Sequence, residues 1–384
     1  MSAEIFEFYY RLNSKSLTNY DSEMTIMHRM TILIILAMAS MGAIAQDVVW
    51  SVDFGSVFDN REGDTSNDQT IAFTRLAPEI GIAVLGGRHA VRGGVVWDQP
   101  IGNGWREYRL NPTLYYRYSG AEWRVSAGML PRTQLMERAP KFLWSDSIDY
   151  RQPNIRGLLV QYVKPRGYLE FVLDWRQLQT TTQREAFNVL LNSRYSFSSN
   201  GTFYIGERMQ YNHLAKQKNA PEGQGVNDDL MFNPYVGLDL TGRVQPLDSL
   251  NVRVGALVGM QRCRVQHEWH KPVGVLAELT AEWRWLGVRE TFYAGKNQMP
   301  LYGLFGGELN MGSPYYQAKA YSRTDIYAHI ISNRYLDLEA ALNFHVTRDV
   351  FALWQQVSVR FYIDNTMWRK GNNAAKAGKI RNMY

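Results

Sequence analysis

Residues Val357–Asp364 read VSVRFYID, with an apolar side chain at every second position and a polar or amphipathic one between. The same alternation recurs at Leu169–Arg176 and at Leu336–Val346. Successive side chains point to opposite faces of a β-strand, so each stretch has one apolar and one polar face. Continuous apolar faces opposite charged ones favour a β-barrel that sits in lipid and encloses water over a soluble protein.

Alternating runs of this kind occur about sixteen times, separated by turn-forming residues. They cover 49–58, 70–85, 89–99, 106–118, 122–129, 155–163, 169–177, 186–197, 202–211, 231–240, 250–261, 272–283, 285–294, 315–331, 336–346 and 355–364. Tight turns and longer connections nearly alternate between them, as they do in outer-membrane barrels with short periplasmic turns and long extracellular loops. The sequence therefore predicts an all-β fold: a closed antiparallel transmembrane barrel in the cell outer membrane, with about 16 strands (roughly 14–18).

The composition fits this fold although the mean hydropathy does not. A mean hydropathy of −0.33 suggests a soluble protein, but only half of each barrel strand faces lipid, so the average conceals the apolar face. Aromatic residues make up 13% of the chain, and many, such as Trp175 and Trp283, lie near predicted strand ends. Such rings favour membrane–water interfaces. The single cysteine, Cys263, excludes a framework of internal disulfides.

The ends of the chain carry separate signals. Residues 27–45 contain a short apolar run that ends in Ala43-Ile44-Ala45, which predicts a cleavable signal peptide. Residues 1–26 do not fit a signal peptide, and we interpret them as a non-native extension from a misplaced start codon. The barrel is expected over 46–368, followed by a basic tail at 369–384.

The basic balance of the chain belongs mainly to that tail. It holds five basic residues and no acidic one, against a net charge of +6 for the whole chain. The tail either is a solvated end or contacts an anionic surface. No folded basic patch is left to bind nucleic acid, so we predict no nucleic-acid partner.

The polar faces of the predicted strands supply the candidate pore-lining residues. Charges in the lipid face would cost a few kcal/mol each near the middle of the bilayer, so we place them inward. They either form structural ion pairs or select solutes at a constriction. The candidates are Arg117, Arg124, Glu170, Asp174, Arg176, Arg253, Glu278, Glu282, Arg284, Glu339 and Arg360.

A barrel of this width leaves room for water, and no predicted connection has the length of a plug. The connection 130–154 is the candidate to fold inward and narrow the lumen, with Arg132, Arg138, Asp146 and Asp149 as its charged residues. The sequence thus favours a channel for passive diffusion of small polar solutes. The expected partners are those solutes, outer-membrane lipid and the barrel-assembly machinery.

Chemical motifs are few. His267-Glu268-Trp269-His270 lacks the spacing of a zinc-protease helix, so we predict no metal and no cofactor. His345 and Ser358 both point inward in the predicted strands, but nothing in the sequence places them together. We therefore predict that the protein is not an enzyme. A barrel-embedded hydrolase and a structural or adhesin subunit of an envelope complex remain as alternatives.

Several stretches resemble porin-like barrel proteins of Gram-negative outer membranes. The resemblance covers most of residues 46–364 and implies passive transport or another barrel function. It also implies a closing aromatic residue at the end of the last strand, which the assembly machinery recognises, and Ile363 or Trp368 would take that place. The stretches are Leu76–Gly81 (LAPEIG), Gly128–Arg132 (GMLPR), Asp146–Gly157 (DSIDYRQPNIRG) with Gln161-Tyr162, Asp174–Arg176 (DWR) and Arg184–Phe187 (REAF).

Overall fold

The computed structural model describes residues 47–63, 68–102, 104–198 and 200–367. The predicted extension, the signal peptide and the basic tail with Trp368 lie outside these residues. The strands are β1 Asp47–Glu62, β2 Gln69–Val84, β3 His89–Pro100, β4 Arg109–Ser119, β5 Trp123–Pro131, β6 Asn154–Lys164, β7 Gly167–Gln177, β8 Ala186–Ser196, β9 Phe203–Leu214, β10 Asn227–Asp239, β11 Ser249–Cys263, β12 Glu268–His270, β13 Val273–Trp283, β14 Leu286–Gly295, β15 Ala320–Ser332, β16 Leu336–Val346 and β17 Phe351–Asp364.

All strands join one closed antiparallel sheet. Apart from β12, each strand pairs with its neighbours along the wall, and β1 pairs with β17 to close the barrel. The strands β12 and β13 both pair with β11 and are separated only by Lys271 and Pro272, so they form one wall strand. The barrel therefore has sixteen strands, which confirms the predicted fold class.

The register separates the two faces as the alternation predicts. In β17, Val357 and Phe361 face outward and are exposed, whereas Ser358 is buried inside. At the seam, the Arg360 guanidinium donates to Asp53 of β1 through Nε (3.0 Å) and a terminal nitrogen (2.7 Å). A band of apolar side chains faces outward around the wall, which places the barrel in the outer membrane. Among the described residues, no helix is both long and apolar enough to cross a membrane.

Turn lengths define the two ends of the barrel. The connections at 85–88, 120–122, 165–166 and 284–285 are tight, and by the rule for outer-membrane barrels they lie on the periplasmic side. The opposite end carries the longer connections, including 132–153, 215–226 and 296–319. Two connections depart from the alternation: 240–248 is long for a periplasmic turn, and 347–350 is short for an extracellular one.

Two of the long connections fold into the lumen. The first inward segment (residues 132–153) contains helix α1 (Asp146–Arg151), and the second (residues 296–319) contains helix α2 (Tyr302–Leu309). They contact each other through hydrogen bonds from Ser145 N to Met311 O (2.9 Å) and from Ser313 N to Lys141 O (2.8 Å). The first inward segment lies within the connection 130–154 that was expected to fold inward, whereas the second was not expected.

The inward segments build a hydrophobic core inside the barrel. Phe142 and Trp144 of the first segment and Tyr316 of the second are almost completely buried. They pack with Tyr321 and Trp354 of the wall. The alternation rule assigns only polar contents to a lumen, so it did not predict an apolar core built from two loops.

Two glycines shape the point where the first inward segment leaves the wall. Gly128 of β5 pairs directly with Gly157 of β6, and Gly128 has φ +124°. A Cβ on Gly128 would lie 2.3 Å from the carbonyl oxygen of Leu114. Only glycine fits so close a backbone approach. This close approach explains why the Gly128–Arg132 stretch begins with glycine.

Candidate functional site

The outward face of β9, β10 and β11 carries a polar cluster at its extracellular end. We call it the outer polar cluster: Tyr211, His213, Asp228, Arg262 and Arg264. His213 pairs across the sheet with Asp228, and Asp228 pairs with Arg262. Their neighbours in sequence, Asn212, Asp229 and Gln261, point into the lumen because side chains alternate along each strand.

Asp228 is the centre of this cluster. One of its carboxylate oxygens, Oδ1, accepts from Tyr211 Oη (2.7 Å) and lies 3.0 Å from His213 Nδ1. The other, Oδ2, accepts from Nε of both Arg262 (3.0 Å) and Arg264 (2.8 Å). The carboxylate is buried although it faces the outside of the barrel. A terminal nitrogen of Arg264 also donates to Oδ1 (3.1 Å), so four side chains surround one carboxylate and fix one another's orientation.

The imidazole of His213 is held on two sides. Its Nδ1 faces Asp228, and its ring stacks on Phe187 with centroids 4.9 Å apart. Phe187 in turn stacks on Trp175 at 5.1 Å. Within the described part of the chain, Nε2 has no hydrogen-bond partner. A histidine that is oriented through Nδ1 by a carboxylate can accept a proton at Nε2.

The cluster keeps a positive charge beyond what Asp228 neutralises. It contains two guanidinium groups and one carboxylate, and the Arg264 side chain is 46% exposed. Arg262 lies over the ring of Trp269, with its guanidinium carbon 4.4 Å from the ring centroid. Exposed guanidinium groups of this kind suit phosphate or a developing oxyanion.

The predicted pore-lining residues occupy the other face. Ten of the eleven face the lumen. Arg176 is the extra residue of a bulge in β7 and donates to the backbone oxygen of Glu308 in the second inward segment (2.8 Å). The other nine lie at inward register positions: Arg117, Arg124, Glu170, Asp174, Arg253, Glu278, Glu282, Glu339 and Arg360. The exception is Arg284, which lies in the turn between β13 and β14, so its assignment to the pore wall is wrong. It sits outside the strands because the alternating runs end on either side of it.

Several inward charges are paired. Glu278 bonds Arg208 at 2.7 Å, and Arg253 bonds Glu137 of the first inward segment at 3.1 Å. Glu170 accepts from the backbone nitrogen of Met136 at 2.8 Å. These contacts fit the interpretation in which the lumenal charges hold structure together.

One cavity of about 720 Å³ remains in the lumen. It is bounded by the first inward segment and extends to Arg124 and Tyr362, near the periplasmic ends of their strands. Arg92 and Arg117 also line it, together with the carboxylates of Asp53, Glu79, Glu137 and Asp149. Neither Arg117 nor Arg124 forms an ion pair with another described residue.

The candidate constriction residues lie in the first inward segment. Asp149 is bonded to Lys141 (2.8 Å) and Arg138 (2.9 Å), and Asp146 to Lys141 (2.7 Å) and Arg323 (2.8 Å). Arg132 reaches Asp174 of the wall at 3.2 Å. Burial raises the pKa of Asp146, but the nearby cations outweigh it and hold that pKa well below its usual value.

The family of the chain follows from its sequence over nearly the whole barrel. The family described as Lipid A 3′-O-deacylase-type matches residues 43–366. The chain belongs to this family. Its description is that of an enzyme, so the prediction that the protein is not an enzyme is wrong. No curated protein matches the sequence significantly.

Solved structures support the fold of this deacylase-family chain. It is similar to OpdK of Pseudomonas aeruginosa, solved with vanillate, with a TM-score of 0.52 and 9% identity over 83% of this chain and 99% of that one. It is also similar to Pseudomonas aeruginosa OpdG (TM-score 0.50, 8% identity, 83% and 98% covered). A loop-deletion variant of Vibrio cholerae OmpT is similar as well, with a TM-score of 0.50 and 9% identity over 83% of this chain and 100% of that one. At such identities the likeness concerns the barrel fold.

The hydrolase pair considered from the sequence does not come together in this family member. His345 pairs across the sheet with Ala352, whereas Ser358 pairs with Glu339, six residues away along β17. His345 is instead enclosed by aromatic rings, with Trp354 at 4.0 Å and Tyr315 at 4.7 Å between centroids.

Sequence reasoning missed the outer polar cluster because it predicted two strands that are too short at their extracellular ends. The predicted strands stop at 211 and resume at 231, so 212–230 was assigned to a loop. In the structure β9 continues to Leu214 and β10 begins at Asn227. The alternation continues through Tyr211 and His213, but polar side chains occupy its outward positions, and this hides the strand.

Proposed function

We propose that the protein hydrolyses an ester-linked acyl chain of a lipid A-type glycolipid at the outer polar cluster. The observation that carries this proposal is a histidine–carboxylate pair, His213 and Asp228, on the lipid-facing surface between two arginines. The description of the family supports the reaction type. The position of the cluster near the extracellular strand ends supports the substrate class.

We expect the cluster to lie at the depth where the acyl chains of such a lipid join its sugars. Trp175, Phe187 and Trp269 surround it near the extracellular strand ends. Aromatic rings of this kind mark the boundary between headgroups and hydrocarbon. An acyl ester of an outer-leaflet glycolipid reaches the same boundary, with its chain below and its charged groups above.

The residues of the cluster can divide the reaction between them. His213 accepts a proton at Nε2 from a water molecule, whose oxygen forms a new bond to the ester carbonyl carbon. Asp228 orients the imidazole and stabilises the imidazolium. The guanidinium groups of Arg262 and Arg264 stabilise the oxyanion or bind a phosphate. The bond from carbon to the sugar oxygen then breaks, His213 returns the proton to that oxygen, and a fatty acid leaves.

The test is hydrolysis of purified lipid A in vesicles that contain the folded protein, followed by mass spectrometry. We expect lipid A that lacks one acyl chain, together with an equivalent of free fatty acid. In His213→Asn the rate should fall by about 100- to 10,000-fold, the usual contribution of a general base. An unchanged rate in this variant would exclude the assigned site.

The chain offers a matched control for this variant. His89 also faces outward and is bonded to a phenol, with Nδ1 2.7 Å from Tyr116 Oη. It follows the tight turn 85–88 and so lies at the periplasmic end of the wall. The His89→Gln variant should hydrolyse lipid A at the wild-type rate, because residue 89 cannot reach a lipid in the outer leaflet.

A second candidate function is passive passage of small polar solutes through the lumen. The observation that favours it is the arginine-lined cavity of about 720 Å³, a volume suited to a small ligand. Passage requires the two inward segments to move aside. We expect small anion-preferring conductance in planar bilayers, with the preference lowered in Arg117→Gln/Arg124→Gln. Silent bilayers with correctly folded protein would exclude this function.

A further inference from the structure

Three potential metal ligands meet inside the barrel, on the wall near its periplasmic end. They are His329 of β15 and Asp337 and Glu339 of β16, and one ligand atom from each lies within 4.8 Å of the others. Asp337 Oδ1 is 3.2 Å from His329 Nδ1, and Glu339 Oε2 is 3.8 Å from the same nitrogen. Neither the deacylase site nor the arginine-lined cavity includes these residues.

A β-bulge brings the three side chains to the same place. His329 pairs with Glu339, but the next pair is Ile331 with Leu338, so β15 contains an extra residue at Ile330. A bulge redirects the side chains beside it and increases the local twist. Here the imidazole turns toward the neighbouring strand at the level of Asp337.

Asp337 is the unusual member of the group. Its side chain is completely buried, and neither carboxylate oxygen accepts a well-aligned hydrogen bond from any described residue. The contact with His329 Nδ1 has a suitable distance but a poor angle. A buried carboxylate without well-aligned donors is costly, because it has lost its hydration and the protein replaces it poorly.

The surrounding cations do not satisfy Asp337. Arg289 of β14 lies 3.5 Å from Glu339, and its guanidinium carbon is 3.9 Å from the centroid of the Tyr327 ring. Arg360 is the register partner of Asp337, but it is bonded to Asp53 across the seam. The Tyr327 hydroxyl donates to Glu282 at 2.8 Å.

We propose that His329, Asp337 and Glu339 bind a divalent transition metal of the Zn²⁺ class. One imidazole nitrogen and two carboxylates are ligands that zinc accepts, and three protein ligands leave a coordination position open to water in the lumen. The imidazole disfavours Mg²⁺ and Ca²⁺, which prefer oxygen ligands alone. The bound ion would supply the positive charge that the Asp337 carboxylate has no partner for, and it would link β15 to β16.

The test is a zinc titration by calorimetry, on protein purified without a polyhistidine tag and stripped with chelator. We expect one Zn²⁺ for each chain, with affinity at least about tenfold lower in Asp337→Asn and in His329→Gln. Co²⁺ in place of Zn²⁺ should give visible absorption typical of four-coordinate cobalt. This absorption reports the geometry of the site even when only part of the protein has bound the metal.

The matched control is Glu278→Gln, since Glu278 is a lumenal carboxylate on β13 that is paired with Arg208. It should bind zinc as the wild type does. The proposal is overturned if the wild type shows no saturable zinc binding, in which case a protonated His329 neutralises Asp337. It is equally overturned if both site variants bind zinc unchanged. Lipid A hydrolysis tests a different site, so the two proposals fail separately.

Discussion

The strands β9, β10 and β11 carry two polar networks back to back, and the two differ in what their carboxylates hold. Outside, Asp228 holds a histidine, a phenol and two guanidinium groups at the edge of the lipid. Inside, Asp229 accepts from the amides of Asn212 (3.0 Å) and Gln261 (2.8 Å). Gln261 in turn accepts from the backbone nitrogen of Leu301, in the second inward segment (3.1 Å).

The difference shows that neighbouring residues of one strand can serve a reactive site on one face and structural support on the other. The inner network consists of neutral amides around a carboxylate, and it attaches a loop to the wall. The outer network contains a titratable base with one free nitrogen, and its cationic groups reach solvent. Adjacent residues therefore belong to different functions, and paired substitutions at 228 and 229 can test this assignment.

The largest expected effect is on the rate of hydrolysis. Asp228→Asn should lower the rate of lipid A hydrolysis by about 100-fold or more, because the amide no longer orients His213 or stabilises its charged form. Asp229→Asn should retain the wild-type rate for each folded molecule, measured by release of fatty acid. Equal losses in the two variants would contradict the separation of the two faces.

The next effect is on stability, and here substitution of Asp229 should cost more than substitution of Asp228. Asp229→Ala leaves buried amides without an acceptor and should lower the free energy of unfolding by about 3 kcal/mol. Asp228→Ala leaves two guanidinium groups that still reach solvent, so it should lower the free energy of unfolding by only about 1 kcal/mol. Denaturant unfolding in vesicles, followed by tryptophan fluorescence, measures both. A larger loss for Asp228→Ala would show that the outer cluster is a structural device.

A smaller effect sharpens the role of the outer arginines. Arg264→Gln should raise KM for phosphorylated lipid A by about tenfold and leave kcat within about twofold, because its guanidinium binds a group that does not react. Lipid A from which the phosphates have been removed provides the control, since wild type and variant should then have similar KM values. If kcat falls instead, Arg264 acts on the oxyanion.

The smallest expected effect is on stability at low pH, and it involves a residue in the lumen. The pKa of Asp146 is held well below its usual 3.8, so its ion pairs stabilise the fold fully above that pH. This stabilisation is lost as the pH falls below 3.8 toward the lower folded-state value. We expect the unfolding midpoint of the wild type to drop in that window and that of Asp146→Asn to change less. Identical pH profiles would mean that other carboxylates dominate.

The strands could be predicted from the sequence because lipid and lumen impose opposite polarities. Where a strand breaks that rule, its end is misplaced. The last strand was predicted to begin at Gln355, whereas β17 begins at Phe351. In this part Trp354 points inward to the loop core and Gln355 points outward, so the polarity is inverted.

The candidate site could not be predicted for a related reason. His213 and Asp228 are polar residues at outward positions, and a rule that places every charge inside the barrel cannot find a site on the outside. The connection 130–154 was expected to fold inward, but neither the second inward segment nor the apolar core was predicted, because an apolar loop such as Phe142–Trp144 has no periodicity. Their packing depends on contacts with Tyr316 and Trp354, which lie far away in the sequence.

The seam between β1 and β17 has a consequence for the synthesis of the protein. Asp53 and Arg360 are 307 positions apart, yet their bidentate ion pair lies on the line where the wall closes. Until the last strand is made, both edges of the sheet expose unpaired backbone groups that lipid cannot satisfy. The growing chain therefore has no stable intermediate of its own in the membrane. Every earlier strand must be kept apart from the bilayer, or protected at its edges, until Arg360 reaches Asp53.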